Sequence, residues 1–459
     1  MEHLLHYIWK HRIFPLHPLC STDGRAIEVI HPGLHNHDAG PDFFNSKVKI
    51  DGELWVGNVE IHTRASDWFR HHHNTDPAYD NVILHVVEDA DMDIPYPTSS
   101  RGMIPQLQLP IPSKIQTRYD ELVKSDQLPR CRDIISQQPS LIIHNWLSAL
   151  QVERLGQQTQ QIMQRREKCT MDWEKTCFIT IARNFGFGIN GDALEAWAHS
   201  IPSNAIAKHR DNLFQIEAIF FGQAGLLNPE DNNPAIKSSK NTFAVVQNDG
   251  DNDYFTRLRQ EYKFLQQKFT ISSINPTLFR FARLRPQNFP HIRITQLAML
   301  YFEQRLNFSN ILNAESIEDF YQLFDTHVSS FWQTHFTFTS QESAPANRKL
   351  SNSSKDLLII NSIVPLLFAY GKYKGNEQLC ERGMTLLSQI RPENNNVTRA
   401  WQEAGIDCES AADSQALIQL TRNYCETNGC LRCRFGHEFI RKNPNFLNEK
   451  EQDPPLIKH

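Results

Sequence analysis

Acidic and histidine side chains crowd the first 85 residues of the chain. Twelve of its 20 histidines lie there, among several aspartates and glutamates. Two segments concentrate them, HNHDAGPDF from His35 to Phe43 and WVGNVEIHTRASDW from Trp55 to Trp68. Side chains of these types bind divalent cations and exchange protons near neutral pH. The sequence therefore indicates a metal or acid–base site near its beginning.

Asp42, Glu60, His62 and Arg64 are the candidates for that site. Alternate side chains of a β-strand share a face, about 7 Å apart, so Glu60, His62 and Arg64 should point the same way. The Asp51-Gly52 pair predicts a hairpin turn, because both residues tolerate positive φ. That hairpin would place Asp42 beside Glu60. Two neighbouring carboxylates suit Mg²⁺ or Mn²⁺, whose bound water attacks phosphodiesters.

The spacing of these residues resembles that of the PD-(D/E)XK nuclease superfamily. Pro41-Asp42 and Glu60-Ile61-His62 match its Asp and its Glu-X-Lys strand in order, although His62 stands where that superfamily has lysine. The resemblance implies a sheet flanked by helices, with Asp42 and Glu60 as metal ligands. His62 would be a ligand or a general base, and Arg64 or Lys49 could supply the missing charge. The resulting hypothesis is a metal-dependent phosphodiesterase that acts on nucleic acid.

Two alternatives remain open for the same residues. In the first alternative the polar cluster is structural, and the chain is a non-catalytic binding or scaffold protein. Gly40-Pro41 is then a turn, and Glu60 with Arg64 is an ion pair on an exposed strand. The second is a histidine-rich zinc hydrolase, with His35 and His37, plus His71 or His73 and a carboxylate, as ligands.

Only three of the nine cysteines cluster in the sequence. They are Cys425, Cys430 and Cys433. Their C-x4-C-x2-C spacing is that of thiolate ligands, and His437 is a candidate fourth ligand for Zn²⁺. The other metal hypothesis is an iron–sulfur cluster completed by a distant cysteine such as Cys20 or Cys131. From the sequence alone we favour cysteines that pack without any metal.

A basic segment between residues 256 and 293 carries eight cations and one acid. The cations are Arg257, Arg259, Lys263, Lys268, Arg280, Arg283, Arg285 and Arg293. Aromatic residues are interleaved with them, as in proteins that clamp phosphates and stack bases. The favoured interpretation is an amphipathic helix whose rings are core and whose cations are solvated, and nucleic-acid binding is the alternative.

Composition predicts a soluble α+β protein. The formal net charge of −5 excludes a global attraction to nucleic acid or anionic membranes. Period-two runs predict an N-terminal mixed sheet domain over 1–125, and helical periodicity predicts a mostly α-helical domain over 139–440. Polar loops are expected near 228–253 and 339–356, with a flexible tail over 441–459.

The location expected from the sequence is cytoplasmic, without membrane partners. The N-terminal MEHLLHYIWKHRIF lacks the apolar core of a signal peptide. The longest apolar stretch, Leu357 to Tyr370, falls short of the ~20 residues that cross a bilayer and is predicted to be a buried helix.

Several segments along the chain together resemble a bacterial family known only as a domain of unknown function. They are LLHYIWK, GPDF, GNVEIH, ASDW, AYDNVILHVV, FGFGIN, FGQAGLL, RLRPQNFPHIRI and YCETNGCLRC. The resemblance runs from end to end and implies a single inherited unit, but no activity.

Overall fold

The computed structural model describes residues 1–14, 17–36, 38–96, 102–125, 127–227 and 253–441. The chain forms two compact units. The first comprises Met1–Ser140, Ala400–Ile406 and Leu420–His459, and the second comprises Leu141–Arg399 and Asp407–Gln419. Two stretches of the helical domain predicted over 139–440 therefore belong to the N-terminal unit, because they contact residues far away in the sequence.

A seven-stranded mixed sheet forms the centre of the first unit. The strands are β1 Leu19–Cys20, β2 Ala26–His31, β3 Leu34–His35, β4 Phe43–Ile50, β5 Glu53–Arg64, β6 Val82–Asp89 and β7 Gln106–Gln108. Their order is β1-β2-β4-β5-β6-β7, and β3 pairs with β4. Pairing is antiparallel as far as β5, and β6 and β7 then add in parallel. With the helical second unit, this sheet confirms the α+β class.

The β4–β5 hairpin brings Asp42 to Glu60. Asp51 and Gly52 at its turn have φ of 50° and 84°, the left-handed conformations that a tight hairpin requires. Ile50 pairs with Glu53 beside the turn. Phe43 pairs with Val59 at the far end of the hairpin. Asp42 directly precedes Phe43 and Glu60 directly follows Val59, so Asp42 and Glu60 are neighbours across the two strands.

The strand β6 is covered on both faces, as its nearly continuous apolar run predicts. Val82 to Val87 are all buried, which is typical of a central strand in parallel pairing. Glu60 of β5 is registered with His85 of β6. A histidine is thereby placed in the interior, directly beside the buried glutamate.

The connection between β5 and β6 contains the helix α2, Asp67–Arg70, and the 3₁₀ turns His73–Thr75 and Pro77–Tyr79. His72 has a φ of 62°, the left-handed conformation that ends the helix and redirects the chain. Trp68 is fully buried and packs in a small core with Tyr79 and Val82. This core supports the segment that carries His71 and His73.

The helix α1, Glu2–Lys10, packs on the sheet through its apolar face. Leu5, Ile8 and Trp9 are fully buried, and the Trp9 indole donates a hydrogen bond to the Pro32 carbonyl at 2.9 Å. His6 lies on the same helix and is 8% exposed, so its imidazole is held against the sheet.

Further helices complete the first unit: α3 Ser113–Lys124, α4 Arg132–Ile135 and a C-terminal helix Arg434–Arg441. A π-helical turn Thr421–Cys425 and a 3₁₀ turn Gly429–Arg432 precede the C-terminal helix. This helix contacts α3, where Arg118 donates to the Ile440 carbonyl at 3.1 Å. It also contacts α1, where His437 Nδ1 lies 2.9 Å from the Tyr7 hydroxyl.

The second unit is built from helices around a large aromatic core. Its helices are Ser140–Lys168, Trp173–Phe185, Gly191–Ser200, Ser203–Lys208, Leu213–Gln223, Asp253–Phe269, Pro290–Phe302, Phe308–Asn313, Ile317–Leu323, Ser330–Thr334, Asn352–Leu358, Val364–Lys374, Glu377–Gln389, Asn396–Glu403 and Ala411–Leu420, where the outermost residues of a few belong to the first unit. The mostly helical content that the periodicity of the sequence predicts for this part of the chain is confirmed.

One helix is longer than the sequence indicates. Asn352–Leu358 continues through a π-helical turn, Ile359–Ile363, into Val364–Lys374, so the helix starts inside the predicted loop of 339–356. Residues 339–351 have no regular structure. Among the described residues this helix, Asn352–Lys374, is the one long and apolar enough to cross a membrane, and most of it is buried inside the protein. The predicted loop over 228–253 and the tail over 441–459 fall almost wholly outside the described residues.

Candidate functional site

Asp42 and Glu60 are joined by hydrogen bonds across β4 and β5. The backbone N–H of Asp42 donates to Glu60 Oε2 at 3.1 Å, and the backbone N–H of Ile61 donates to Asp42 Oδ2 at 2.9 Å. Each carboxylate therefore holds the strand that carries the other. The two acidic groups lie side by side, as the hairpin predicts.

The loop before Asp42 is ordered by Asn36. The Asn36 side-chain amide donates to the carbonyls of Asp38, Ala39 and Pro41 at 3.1–3.2 Å. Its backbone N–H donates to the Asp42 carbonyl at 2.7 Å. These bonds fix the chain that leads into β4, so the position of the Asp42 carboxylate is set before any ligand arrives.

Three histidines lie together beside Glu60, and two of them contact its Oε1. His73 Nε2 lies 3.1 Å and His62 Nε2 lies 3.5 Å from that oxygen. His71 Nδ1 lies 3.1 Å from His62 Nε2. One ring nitrogen from each imidazole falls within 4.8 Å of the other two, a compactness that no other histidine, cysteine or carboxylate trio matches within the ranges the structure describes. Glu60, His62 and His73 are buried, whereas His71 opens to solvent.

The contact between Glu60 and His73 is not a hydrogen bond. His73 Nε2 is a buried nitrogen without a hydrogen-bond partner, despite its closeness to Glu60 Oε1. Two polar atoms that are near but misaligned can both point at a third position. Ligands bound at ~2.0 to 2.2 Å to one ion are themselves about 3.0 to 3.5 Å apart. Glu60 Oε1 lies 3.1 Å from His73 Nε2 and 3.5 Å from His62 Nε2, and His62 Nε2 lies 3.1 Å from His71 Nδ1. These three separations match that spacing.

Burial keeps the central imidazoles neutral. Burial, reinforced by His85, His73 and His71, lowers the pKa of His62 to about 2. Burial likewise lowers the pKa of His85 to about 3 and lowers that of His73. A neutral imidazole has the lone pair that a metal ligand needs, so no proton competes with an ion for these nitrogens near neutral pH.

On the acidic side of the site, the pKa values of Glu60 and His6 are raised rather than lowered. Burial and the neighbouring Asp42 carboxylate raise the pKa of Glu60 to about 9. His6 Nε2 lies 3.3 Å from Asp42 Oδ2. Although burial disfavours charge on His6, its contact with Asp42 outweighs that effect and raises the pKa of His6. The paired side chains of His6 and Asp42 thus stand beside a carboxyl group that a cation would ionise.

Arg64 does not share the site of Glu60 and His62. Its guanidinium is mostly exposed and lies 3.4 Å from Asp89 and 3.7 Å from Asp91. Arg64 ends β5, where Asp89 at the end of β6 and Asp91 just after it attract its long side chain. Lys49, the other candidate cation, is exposed and pairs with Glu28 at 3.1 Å.

The remaining histidine candidates divide between the site and its surroundings. His35 stacks on Phe43 and meets the ring edge of His6, so it contacts the Asp42 side of the cluster. His37 lies outside the described residues. His71 and His73, the alternatives in the zinc hypothesis, are both in the cluster.

Sequence reasoning did not single out His6 and His85 as site residues. His6 comes from α1, and His85 comes from a parallel strand that returns after the crossover. A signal existed for His85, since it is the polar residue in the apolar run VILHVV. A buried histidine of that kind needs a polar partner.

The basic segment separates into buried and exposed parts. Arg293 is buried, and its guanidinium donates to Gln296 at 2.9 Å and to Asn288 at 2.6 Å; burial lowers its pKa to about 10. Arg293 therefore leaves the set of candidate nucleic-acid contacts. Arg257, Arg280, Arg283 and Arg285 are exposed, and Arg259 is half-buried. Of the interleaved rings, those of Tyr262, Phe279 and Phe281 are buried.

The chain belongs to a family of proteins of unknown function, DUF2851, whose model matches residues 2–396. That range contains every member of the Asp42–Glu60–histidine site. Comparison with curated proteins and with solved structures gave no match. The site must therefore be interpreted from its own chemistry.

Proposed function

We propose that the N-terminal sheet carries a divalent-metal site that hydrolyses phosphodiesters. The observation that carries the proposal is the compact trio of His62, His71 and His73, two of which, His62 and His73, lie within 3.1–3.5 Å of Glu60 Oε1. Glu60 and the three imidazoles would hold the ion. Exposure of His71 leaves a side of the site open to a substrate.

The ligand types bear on the identity of the metal. Imidazole nitrogens suit Mn²⁺, Fe²⁺ and Zn²⁺, whereas Mg²⁺ prefers oxygen ligands and keeps its water. A site with three imidazoles and one carboxylate thus favours Mn²⁺ over Mg²⁺. An ion here would also replace the proton that Glu60 carries near neutral pH, because its charge offsets that of Asp42.

Asp42 and His6 would handle protons rather than bind the ion directly. Asp42 Oδ2 is occupied by the Ile61 N–H and by His6. This pair stands next to Glu60. The Asp42 carboxylate would therefore lie close enough to the ion to accept a proton there. The ion would supply the activated water that phosphodiester hydrolysis requires.

The phosphodiester assignment draws on the arrangement of the strands. A carboxylate precedes β4, a Glu-X-His follows in antiparallel β5, and β6 returns in parallel after a crossover. This order agrees with the resemblance to the PD-(D/E)XK nucleases, in which His62 stands at the position of the missing lysine.

A zinc hydrolase of another substrate class is the second candidate. The same three-histidine trio favours it, because three imidazoles and an open position form a common catalytic zinc site. The two candidates share the ligands and differ in the ion and in the bond cleaved.

The test combines metal binding with cleavage. Wild-type protein stripped of metal is titrated with Mn²⁺, Zn²⁺ and Mg²⁺ and assayed on single- and double-stranded DNA and RNA. Glu60→Gln and His73→Gln should lose binding and cleavage together. His72→Asn is the matched control, since His72 is exposed between two ligands and asparagine tolerates its left-handed backbone.

Three outcomes would contradict the proposal or parts of it. Cleavage that survives Glu60→Gln would exclude this site as its source. Tight Zn²⁺ binding without cleavage of any nucleic acid would favour the second candidate. Failure of all three ions to bind would return the cluster to a structural role.

A further inference from the structure

Four buried cysteines of the first unit come from two distant parts of the chain. Cys131 is the residue before α4, while Cys425, Cys430 and Cys433 lie in and after the turns that precede the C-terminal helix. The four are 5–7% exposed. About 300 residues of chain, most of them in the second unit, separate Cys131 from the other three.

The four buried thiols lie near one another in the first unit. Charge on each of Cys425, Cys430 and Cys433 acts on Cys131, and charge on Cys430 and Cys433 acts on Cys425. Because Coulomb interactions decay with distance, groups that act on one another in this way are close neighbours. The three C-terminal cysteines thus lie near Cys131 inside the same compact unit.

The turn that carries the C-terminal cysteines is tightly built. The Cys433 N–H donates to the Cys430 carbonyl at 3.2 Å. A Cβ on Gly436 would lie 2.1 Å from that carbonyl oxygen, so only glycine lets the helix approach the turn this closely. Asn428 takes the left-handed φ of 56° that starts the turn. The backbone of this turn therefore fixes the positions of Cys430 and Cys433 before any ligand binds.

A cation stands beside the cluster. The charge of Arg130 acts on Cys425 and Cys430, and its buried Nε has no hydrogen-bond partner. Its Nη1 donates to the Leu122 and Val123 carbonyls, which hold the side chain in place. Metal–thiolate clusters carry negative charge, and a fixed guanidinium stabilises such a charge.

The separation of the cysteine sulfurs bears on whether they would bind a single zinc ion or an iron–sulfur cluster. Four thiolates on one Zn²⁺ would sit ~3.8 Å apart, the edge of a tetrahedron with 2.3 Å bonds. Within the described residues, no three cysteine sulfurs lie within 4.8 Å of one another. An iron–sulfur cubane keeps its thiolates further apart, because each binds a different iron.

We propose that Cys131, Cys425, Cys430 and Cys433 ligate an iron–sulfur cluster that fastens the C-terminal turns to the α3–α4 region. Cys131 takes the fourth position, and His437 is engaged instead with Tyr7. The cluster has a structural role, because binding the folded ligand set alone stabilises the unit.

Purification without oxygen tests the assignment on the full-length chain. We expect brown protein with iron and acid-labile sulfide in equal amounts, about four of each per chain for a cubane. Cys131→Ser should lose most of both. Cys20→Ser is the matched control, because Cys20 is an exposed thiol in the same unit, and it should retain the full content.

A second measurement guards against a variant that fails to fold. Removal of iron from the wild type by a chelator should lower the melting temperature of the full-length chain. Stoichiometric zinc without iron, protein without metal, or full iron content in Cys131→Ser would each overturn the proposal.

Discussion

His85 is hydrogen-bonded to His62 in the interior of the sheet, with 2.9 Å between His85 Nε2 and His62 Nδ1. The bond leaves His62 Nε2 facing Glu60 and His71. Ligand histidines commonly use their second nitrogen in this way, which fixes the ring and its tautomer. His85 is therefore a positioning residue for the proposed metal site.

Replacing His85 tests this positioning role. His85→Phe should weaken Mn²⁺ binding by about 10- to 100-fold, the usual loss when such a partner is removed. The fold should survive, because His85 Nδ1 is a buried nitrogen without a partner and its replacement removes that penalty. His85→Gln should restore part of the affinity. Isothermal titration measures affinity, and equal affinity in wild type and His85→Phe would refute the role.

Glu60→Gln should separate stability from metal binding. Gln keeps the shape of the buried side chain and an oxygen for the Asp42 N–H, so metal-free stability should change by less than about 1 kcal/mol. The rise in melting temperature that Mn²⁺ gives the wild type should disappear, because binding to the native state alone stabilises it. A full Mn²⁺ shift in the variant would exclude Glu60 as a ligand.

The hairpin part of the site could be predicted because it depends on local rules. The Asp51-Gly52 turn sets the register, and strand alternation puts Glu60 and His62 on one face. Arg64 escapes the same rule, since a terminal strand residue with a long side chain turns to the nearest acids, Asp89 and Asp91.

The rest of the site depends on contacts that spacing does not encode. His85 reaches His62 only because β6 pairs in parallel after a crossover, and His71 and His73 converge only because His72 is left-handed. Cys131 was one of two candidates to complete the cysteine cluster, and nothing local distinguished it from Cys20. Such contacts follow from the tertiary fold.

Acid should destabilise the second unit through His291. This imidazole is buried among Phe221, Trp332 and Phe338, and burial lowers its pKa to about 3. The folded state holds fewer protons than the unfolded state below pH ~6.5. Stability is therefore complete above that pH and falls as the pH drops towards 3, by up to about 1.4 kcal/mol per unit for this group.

His291→Phe removes this titration and should flatten the loss of stability between pH 6.5 and 5. Urea unfolding at each pH measures the free energy, and His144→Gln, at an exposed position, is the control. An unchanged slope in His291→Phe would show that other groups determine the acid limit.

Tyr254→Phe should destabilise the second unit through Glu217. The buried Glu217 carboxylate accepts from Tyr254 at 2.7 Å, and from Thr295 and Ser329 at 2.9 Å each. Loss of the tyrosine hydroxyl leaves Oε2 without this donor, at a cost of about 1 to 3 kcal/mol. Tyr373→Phe, at an exposed position, should cost less than about 0.5 kcal/mol in the same urea titration.

The exposed arginines of the basic segment give the last prediction, which tests the proposed nucleic-acid substrate by binding alone. Arg280, Arg283 and Arg285 are exposed, whereas Phe279 and Phe281 beside them are buried. Binding there should thus be electrostatic, with little base stacking. Affinity for a short single strand should fall with salt, with a logarithmic slope near −0.7 for each phosphate neutralised.

Changing the three arginines to glutamine should flatten that slope by about 2 if each contacts one phosphate. The melting temperature should hold, because exposed charges contribute little to stability. Lys372→Gln with Lys374→Gln removes exposed charge from another helix and should leave the slope unchanged. Equal slopes in the triple variant and the wild type would remove this segment from the path of the substrate, since counterion release must fall when the contacting cations are lost.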